Sequence, residues 1–176
     1  MNLHIIKPQK RDEEEIKRLF DRTITQNFKD YGYDAKYRED MVDEIRKQVT
    51  ALEEYYTSEG KNIYFLIAKE NDKVIGTIAY GKPNADIEKY YLKKTEHMPE
   101  IKSVYILPEY QGRGVGTKLV AEMTEILRQK GFKEFCLDSG YPKAQQFWRS
   151  KLGEPVITIH NRWGAGNDYL IWHARI

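Results

Sequence analysis

The run Val104-Tyr105-Ile106-Leu107-Pro108-Glu109-Tyr110-Gln111-Gly112-Arg113-Gly114-Val115-Gly116-Thr117 has the residue types and spacing best suited to chemistry. An apolar strand, stopped by Pro108, turns straight into a helix. The first N–H groups of a helix have no partner within it, and the helix dipole makes that end positive. Glycines at 112, 114 and 116 remove side chains that would keep an anion from those donors, and Arg113 adds a charged fork suited to phosphate. The segment from Gln111 to Thr117 therefore reads as a holder of pyrophosphate. Spelling excludes two common phosphate loops. A dinucleotide turn needs G-x-G-x-x-G, but counting from Gly112 the last position is Thr117. A P-loop ends in Gly-Lys-Ser/Thr, and Gly116-Thr117-Lys118 has the wrong order.

The elements around this segment follow from periodicity. Leu3 to Ile6 suits a short strand, and Asp12 a helix cap followed by acidic Glu13 to Glu15. Ile16, Leu19, Phe20, Ile24, Asn27 and Phe28 recur at helical spacing. A second helix carries the stripe Met41, Val42, Ile45, Val49, Leu52 and Tyr56, with Gly60 just past its end. Ile63–Ala68 and Val74–Tyr80 form a hairpin about Asn71-Asp72. Positions 82 to 99 make a long polar loop, with room for a short helix near Ile87 to Leu92. Ile101 to Leu107 is a strand, and the helix after the glycines presents Val115, Leu119, Met123, Ile126 and Leu127 before Gly131. A strand at Phe135–Leu137, a helix from Pro142 to about Lys151, and strands at Val156–His160 and Tyr169–Ala174 complete the chain. The order β-α-α-β-β-β-α-β-α-β-β is that of a mixed α/β domain.

The 176 residues suit one domain, 1–176, with a real core, and 40% apolar with 32% charged residues is an ordinary globular balance. A net charge of +2 without a basic block argues against nucleic acid as partner. No run is apolar enough for a signal peptide or a bilayer span, so no membrane partner is expected. The single Cys136, in the apolar run Phe135-Cys136-Leu137, reads as core and suits a reducing cytoplasm. His4, His97, His160 and His173 lack ligand spacing, so no metal is expected, although pairing of the last strands could bring His160 and His173 together.

The loop resembles the signature of the GNAT superfamily of N-acetyltransferases, Gln/Arg-x-x-Gly-x-Gly/Ala after a strand ending in an apolar residue and Pro. Gln111, Gly114 and Gly116 match it, and Ala144, Phe147 and Lys151-Leu152-Gly153 echo the family's second motif. The resemblance implies a single GNAT-like mixed-sheet domain with splayed central strands, Ile101–Leu107 and Phe135–Leu137, that admit the pantetheine arm of acetyl-CoA. It implies backbone contacts from Val104, Tyr105 and Ile106, and a pyrophosphate held by Gln111, Gly112, Arg113, Gly114, Val115, Gly116 and Thr117. An N–H near Ile106 would face the thioester carbonyl.

Acyl transfer needs a neutral amine, yet a lysine-like amine has a pKa near ~10.4, so a general base is useful. Glu100 stands at the offset from Gln111 where the histone-acetyltransferase branch carries its catalytic Glu; a solvated carboxylate is the alternative there. Many relatives protonate the leaving thiolate with a Tyr, but Phe147-Trp148 occupies that place. Tyr141 is a substitute, or else a turn tyrosine packed on Pro142. The acceptor is expected to be a small-molecule or peptide amine, entering over Tyr31, Tyr33, Tyr37, Tyr90, Tyr91, Trp163, Asn167 and Asp168, where aromatic faces and a carboxylate suit a cation. A homodimer stays open, as does a non-catalytic acyl-CoA sensor.

Overall fold

The computed structural model describes residues 2–33, 36–91 and 98–176. Its elements are β1 (Leu3–Ile6), α1 (Glu13–Asp30), α2 (Arg38–Ser58), β2 (Ile63–Glu70), β3 (Lys73–Gly81), α3 (Ala85–Tyr91), β4 (Glu100–Ile106), α4 (Val115–Gln129), β5 (Glu134–Ser139), α5 (Pro142–Leu152), β6 (Ile157–Ile159) and β7 (Tyr169–Arg175). The seven strands form one mixed sheet in the order β1-β2-β3-β4-β5-β7-β6. The expected order is recovered, and the short helix for which the 82–99 loop has room is α3, starting at Ala85, two residues before Ile87; Leu92 and His97 lie outside the described residues.

The chain packs as two compact units, the first made of residues 1–80 and 103–125. Here β1 runs antiparallel to β2, from Leu3↔Glu70 to Ile6↔Ile67. The β2–β3 hairpin turns on Asn71 (φ 48°) and Asp72 (φ 65°), the two left-handed residues that a tight primed turn needs. Helix α1 buries Ile16, Leu19, Phe20, Ile24 and Phe28; Thr23 joins this face while Asn27 is only half-buried. Asp12 stands at the N-cap of α1, as the sequence suggests, but its side chain bonds no α1 N–H. Its carboxylate accepts from the Gln9 N–H at 2.8 Å and pairs with Lys69 at 2.8 Å, both side chains almost sealed from water. Burial raises the proton affinity of Asp12, but Lys69 and the Gln9 N–H outweigh it and hold the carboxyl below its usual range. Helix α2 buries Leu52 and Tyr55, whereas Val42, expected on the apolar stripe, is exposed.

The second unit comprises residues 81–102 and 126–176. β5 pairs in parallel with the start of β4 at Glu100↔Cys136, and antiparallel with β7 from Glu134↔Arg175 to Ser139↔Leu170. β6 flanks β7. Ile87, Met98, Cys136, Tyr169 and Ile171 form a buried cluster beneath α3. Helix α5 turns Trp148 inward and ends at Gly153 (φ 79°), whose carbonyl accepts from the Trp172 indole at 3.0 Å.

Candidate active site

In the first unit, β4 leads through a short 3-10 turn, Pro108–Tyr110, into the glycine loop and α4. Gly112 (φ 72°) and Gly114 (φ 81°) take left-handed conformations, and a Cβ on either would meet nothing within 4 Å. Backbone geometry, not packing, therefore requires glycine at these two positions, and the loop surface stays open. The Lys118 N–H is bonded to the Gly114 carbonyl at 3.1 Å, so Val115, Gly116 and Thr117 supply N–H groups with no acceptor inside the helix. Exposed Arg113 lies 5.4 Å from the Tyr110 ring, and Lys73 lies 5.3 Å from the same ring. The Gln111 side chain does a different job. Its amide donates to the Ile106 carbonyl at 3.0 Å, which ties the loop to the end of β4. These donors fit a pyrophosphate: backbone N–H groups without an acceptor in the helix, a helix start and a guanidinium.

β4 itself is kinked. Ser103 adopts φ 54° within the strand, its carbonyl accepts from Thr77 Oγ1 at 2.7 Å, and its hydroxyl donates to Gln48 at 2.7 Å. A left-handed residue inside a strand re-aims the peptides beyond it, here Val104, Tyr105 and Ile106. The Tyr105 hydroxyl donates to Glu44 at 2.8 Å, and its ring packs edge-on against Phe20. Gly76 on β3 admits Ile106: a Cβ there would sit 2.7 Å from Ile106 Cδ1.

In the second unit Glu100 is not a solvated carboxylate. It is 3% exposed and held on every side. Asn84 donates its backbone N–H to Glu100 Oε2 at 2.7 Å and its Nδ2 to Oε1 at 3.1 Å, while Lys102 Nζ stands 2.8 Å from Oε2. The same Asn84 Nδ2 also donates to Asp138 Oδ2, which accepts a second bond from the Tyr169 hydroxyl at 2.6 Å. Asn84 Oδ1 accepts from the N–H groups of Asp86 (2.9 Å) and Ile87 (3.0 Å), capping α3. That contact fixes the amide's orientation, since its oxygen is already committed to two donors. Burial, and then the neighbouring Asp138 charge, push the Glu100 carboxyl up to about 7 against the pull of Lys102 and Asn84. Burial likewise raises Asp138, with Tyr169, Asn84 and Lys102 opposing.

Asn84, Lys102, Asp138 and Tyr169 were not among the residues expected at the site. An Asn following Pro83 and preceding Ala85-Asp86 is a legible helix start. Asp138 had no signal, because only the Glu100↔Cys136 register brings it beside Glu100.

Tyr141 occupies the N-cap of α5, half-buried, and its carbonyl accepts from the Gln145 N–H at 2.9 Å. Trp148 is core and stacks edge-on with Phe147. His160 and His173 do not meet. His160 lies 3.0 Å from Asp168, and His173 bridges Tyr91 (2.5 Å) and Glu134 (2.9 Å). The aromatic cation site expected around Tyr90 and Trp163 is taken by the chain's own Arg162, 5.6 Å from each ring and bonded to Asp86 at 3.0 and 3.2 Å. Among the described residues no group of three or more His, Cys, Asp or Glu is arranged to hold a metal ion, and no helix is long and apolar enough to cross a membrane.

Residues 16–153 match the model of the acetyltransferase (GNAT) family. The chain belongs to that family and is an acyltransferase. An uncharacterized N-acetyltransferase of Bacillus subtilis (strain 168), YlbP, is 26% identical over 146 residues, covering 83% of this chain and 80% of that protein. Two solved structures share the fold. PaiA N-acetyltransferase from Thermoplasma acidophilum, in complex with coenzyme A, has a TM-score of 0.67 at 18% identity with 100% of both chains covered. The ribosomal-protein-alanine N-acetyltransferase from Brucella melitensis has a TM-score of 0.71 at 18% identity, covering 98% of this chain and 99% of that one.

Proposed function

We propose that the chain, as one acetyltransferase domain over residues 1–176, transfers the acetyl group of acetyl-CoA to a primary amine of a small molecule or peptide by direct attack in a ternary complex. The observation that carries the catalytic reading is Glu100, sealed from water with its carboxyl near 7. A base with that affinity is part ionised at neutral pH and can accept a proton from an ammonium. Family membership and the N–H groups of Val115, Gly116 and Thr117, which have no acceptor in the helix, support acetyl-CoA as donor, as does the coenzyme A bound to the Thermoplasma relative. When bound, acetyl-CoA supplies an activated acyl carbon and a thiol leaving group. Gly112, Gly114 and Arg113 hold its pyrophosphate, and the peptides of Val104 to Ile106, re-aimed by the turn at Ser103, hold its pantetheine amides. Tyr141 is the candidate acid. A thiol pKa near ~8.5 makes thiolate a tolerable leaving group without one.

The test is thiol release from acetyl-CoA across a panel of primary amines, with coenzyme A affinity measured in parallel. Release with at least one amine, lowered by Glu100→Gln at unchanged coenzyme A affinity, is the expected result. Tight coenzyme A binding without release from any amine would turn the reading to a sensor. Binding unaffected by Gly114→Glu would remove the loop from the cofactor site.

A further inference from the structure

Asn84 spends every polar group it has inside the second unit. Its backbone N–H and one amide hydrogen go to Glu100, the other amide hydrogen goes to Asp138, and its oxygen caps α3. Two carboxyl groups on adjacent parallel strands are thus joined through one nitrogen. Lys102 meets Glu100 at 2.8 Å and also donates to the Lys82 carbonyl at 2.7 Å. Tyr169 donates to Asp138 from β7. Cys136 of β5, paired with Glu100 in the strand register, lies buried behind the pair, and Asp86 of α3 is neutralised by Arg162. The cluster therefore holds two carboxyls and one cation at close range, with Glu100 buried and Asp138 and Lys102 half-buried, an arrangement in which like charges resist simultaneous ionisation.

We propose that Asp138 is the proton-sharing partner of Glu100, the two carboxyls bridged by Asn84 acting as one unit that takes a single proton from the acceptor ammonium. This rests on the reading of Glu100 as base. In the step, an N–H bond of the ammonium breaks and its electron pair stays on nitrogen. The proton forms an O–H bond on the pair, whose charge falls from two negative to one. The pair later returns that proton to water. Asp138 is in this sense a positioning residue: it acts through Glu100 by setting the proton affinity of the unit. A simple anchor for α3 would not need the second carboxyl, since an amide at position 138 could accept the Tyr169 hydroxyl equally well.

The experiment is the pH profile of kcat/KM for the whole protein with the best amine of the panel. Asp138→Asn removes a negative neighbour, so the acid limb moves to lower pH by about half a unit or more. Tyr169→Phe removes a donor that favours the charged form of Asp138. The pair then keeps its proton to higher pH, and the acid limb moves up. Thermal melts and coenzyme A affinity establish that each variant is folded. Tyr169→Phe, which loses a single oxygen, serves alone if Asp138→Asn does not fold. Opposite displacements, or the upward one from Tyr169→Phe alone, support the pair. A limb at the wild-type pH in a folded variant overturns it. Glu100→Gln separates the two levels: a limb abolished by Glu100→Gln yet unmoved by the other variants leaves Glu100 as a lone base. A limb retained in Glu100→Gln removes the base assignment itself.

Discussion

Replacing Glu100 by Gln has a consequence for stability that runs against its consequence for turnover. The Glu100 carboxyl goes from an ordinary value of 4.5 to about 7 in the folded chain, through burial first and the Asp138 charge second. Between those pH values the folded state binds more protons than the unfolded one, so stability falls as pH rises through the window. At about 1.4 kcal/mol per pH unit, the rise from 4.5 to about 7 corresponds to roughly 3 kcal/mol lost by pH 8. Glu100 is 3% exposed, so solvent screening takes little from that figure. Gln at position 100 does not titrate. The attraction of Lys102 acts on the ionised carboxylate and is already contained in the Glu100 value of about 7. The measurement is urea unfolding of wild type and Glu100→Gln at pH 4.5 and at pH 8. The wild type is expected to lose about 3 kcal/mol relative to the variant between them, with unchanged dependence on denaturant. Carboxyls away from the site, such as Asp12, Glu13 and Glu109, titrate alike in both proteins and cancel, whereas Asp138 faces Glu100 and does not, so the difference reads the two carboxyls together. Parallel pH profiles of stability would refute the reasoning, because they would mean that Glu100 ionises in the fold as easily as in the open chain.

Other outcomes follow from the first unit and from the buried thiol. Lys69→Ala leaves Asp12 buried without its cation and should cost about 3–5 kcal/mol near neutral pH; chemical denaturation should show the gap narrowing at pH values where Asp12 takes a proton. Gly76→Ala places a methyl 2.7 Å from Ile106 Cδ1 and 3.2 Å from Leu119 Cδ1, and thermal unfolding should register a loss of about 1–3 kcal/mol. Cys136 should stay unmodified by a thiol reagent in the folded protein and react on denaturation, since burial and the Glu100 and Asp138 charges push its thiol up to about 12.

Local chemistry was legible in the sequence, whereas features that depend on distant partners were not. The hairpin about Asn71-Asp72, the helix starting at Val115 and the inward face of Val115, Leu119, Met123 and Leu127 follow from turn chemistry and periodicity, and the structure has them. Asp12 does stand at the N-cap of α1, but Lys69, far along the chain on β2, and the Gln9 N–H take its carboxylate, so the side chain caps no α1 N–H. Val42 fits a helical stripe, but it points away from the covered side of α2 and stays 43% exposed. At the site, Glu100 could be named from an offset, but its burial, its amide clamp and the second carboxyl depend on a strand register and a seven-residue helix. Arg162 shows the same limit: spacing suggests an open cation site near Tyr90 and Trp163, and the fold supplies the cation itself.

The double duty of Asn84 narrows what evolution can do at one position. Ser, Thr and Asp ordinarily exchange with Asn at a helix start at little cost, and any of them could accept from the N–H groups of Asp86 and Ile87. None could replace this residue without further change. A hydroxyl has one hydrogen to offer where two carboxyls ask for two, and Asp would set a third negative charge beside them. A drift that looks silent by helix preference would therefore register as a change in the acidity of the site. Folding the turn before α3 and setting the charge state of the carboxyl pair are, through this side chain, a single heritable trait.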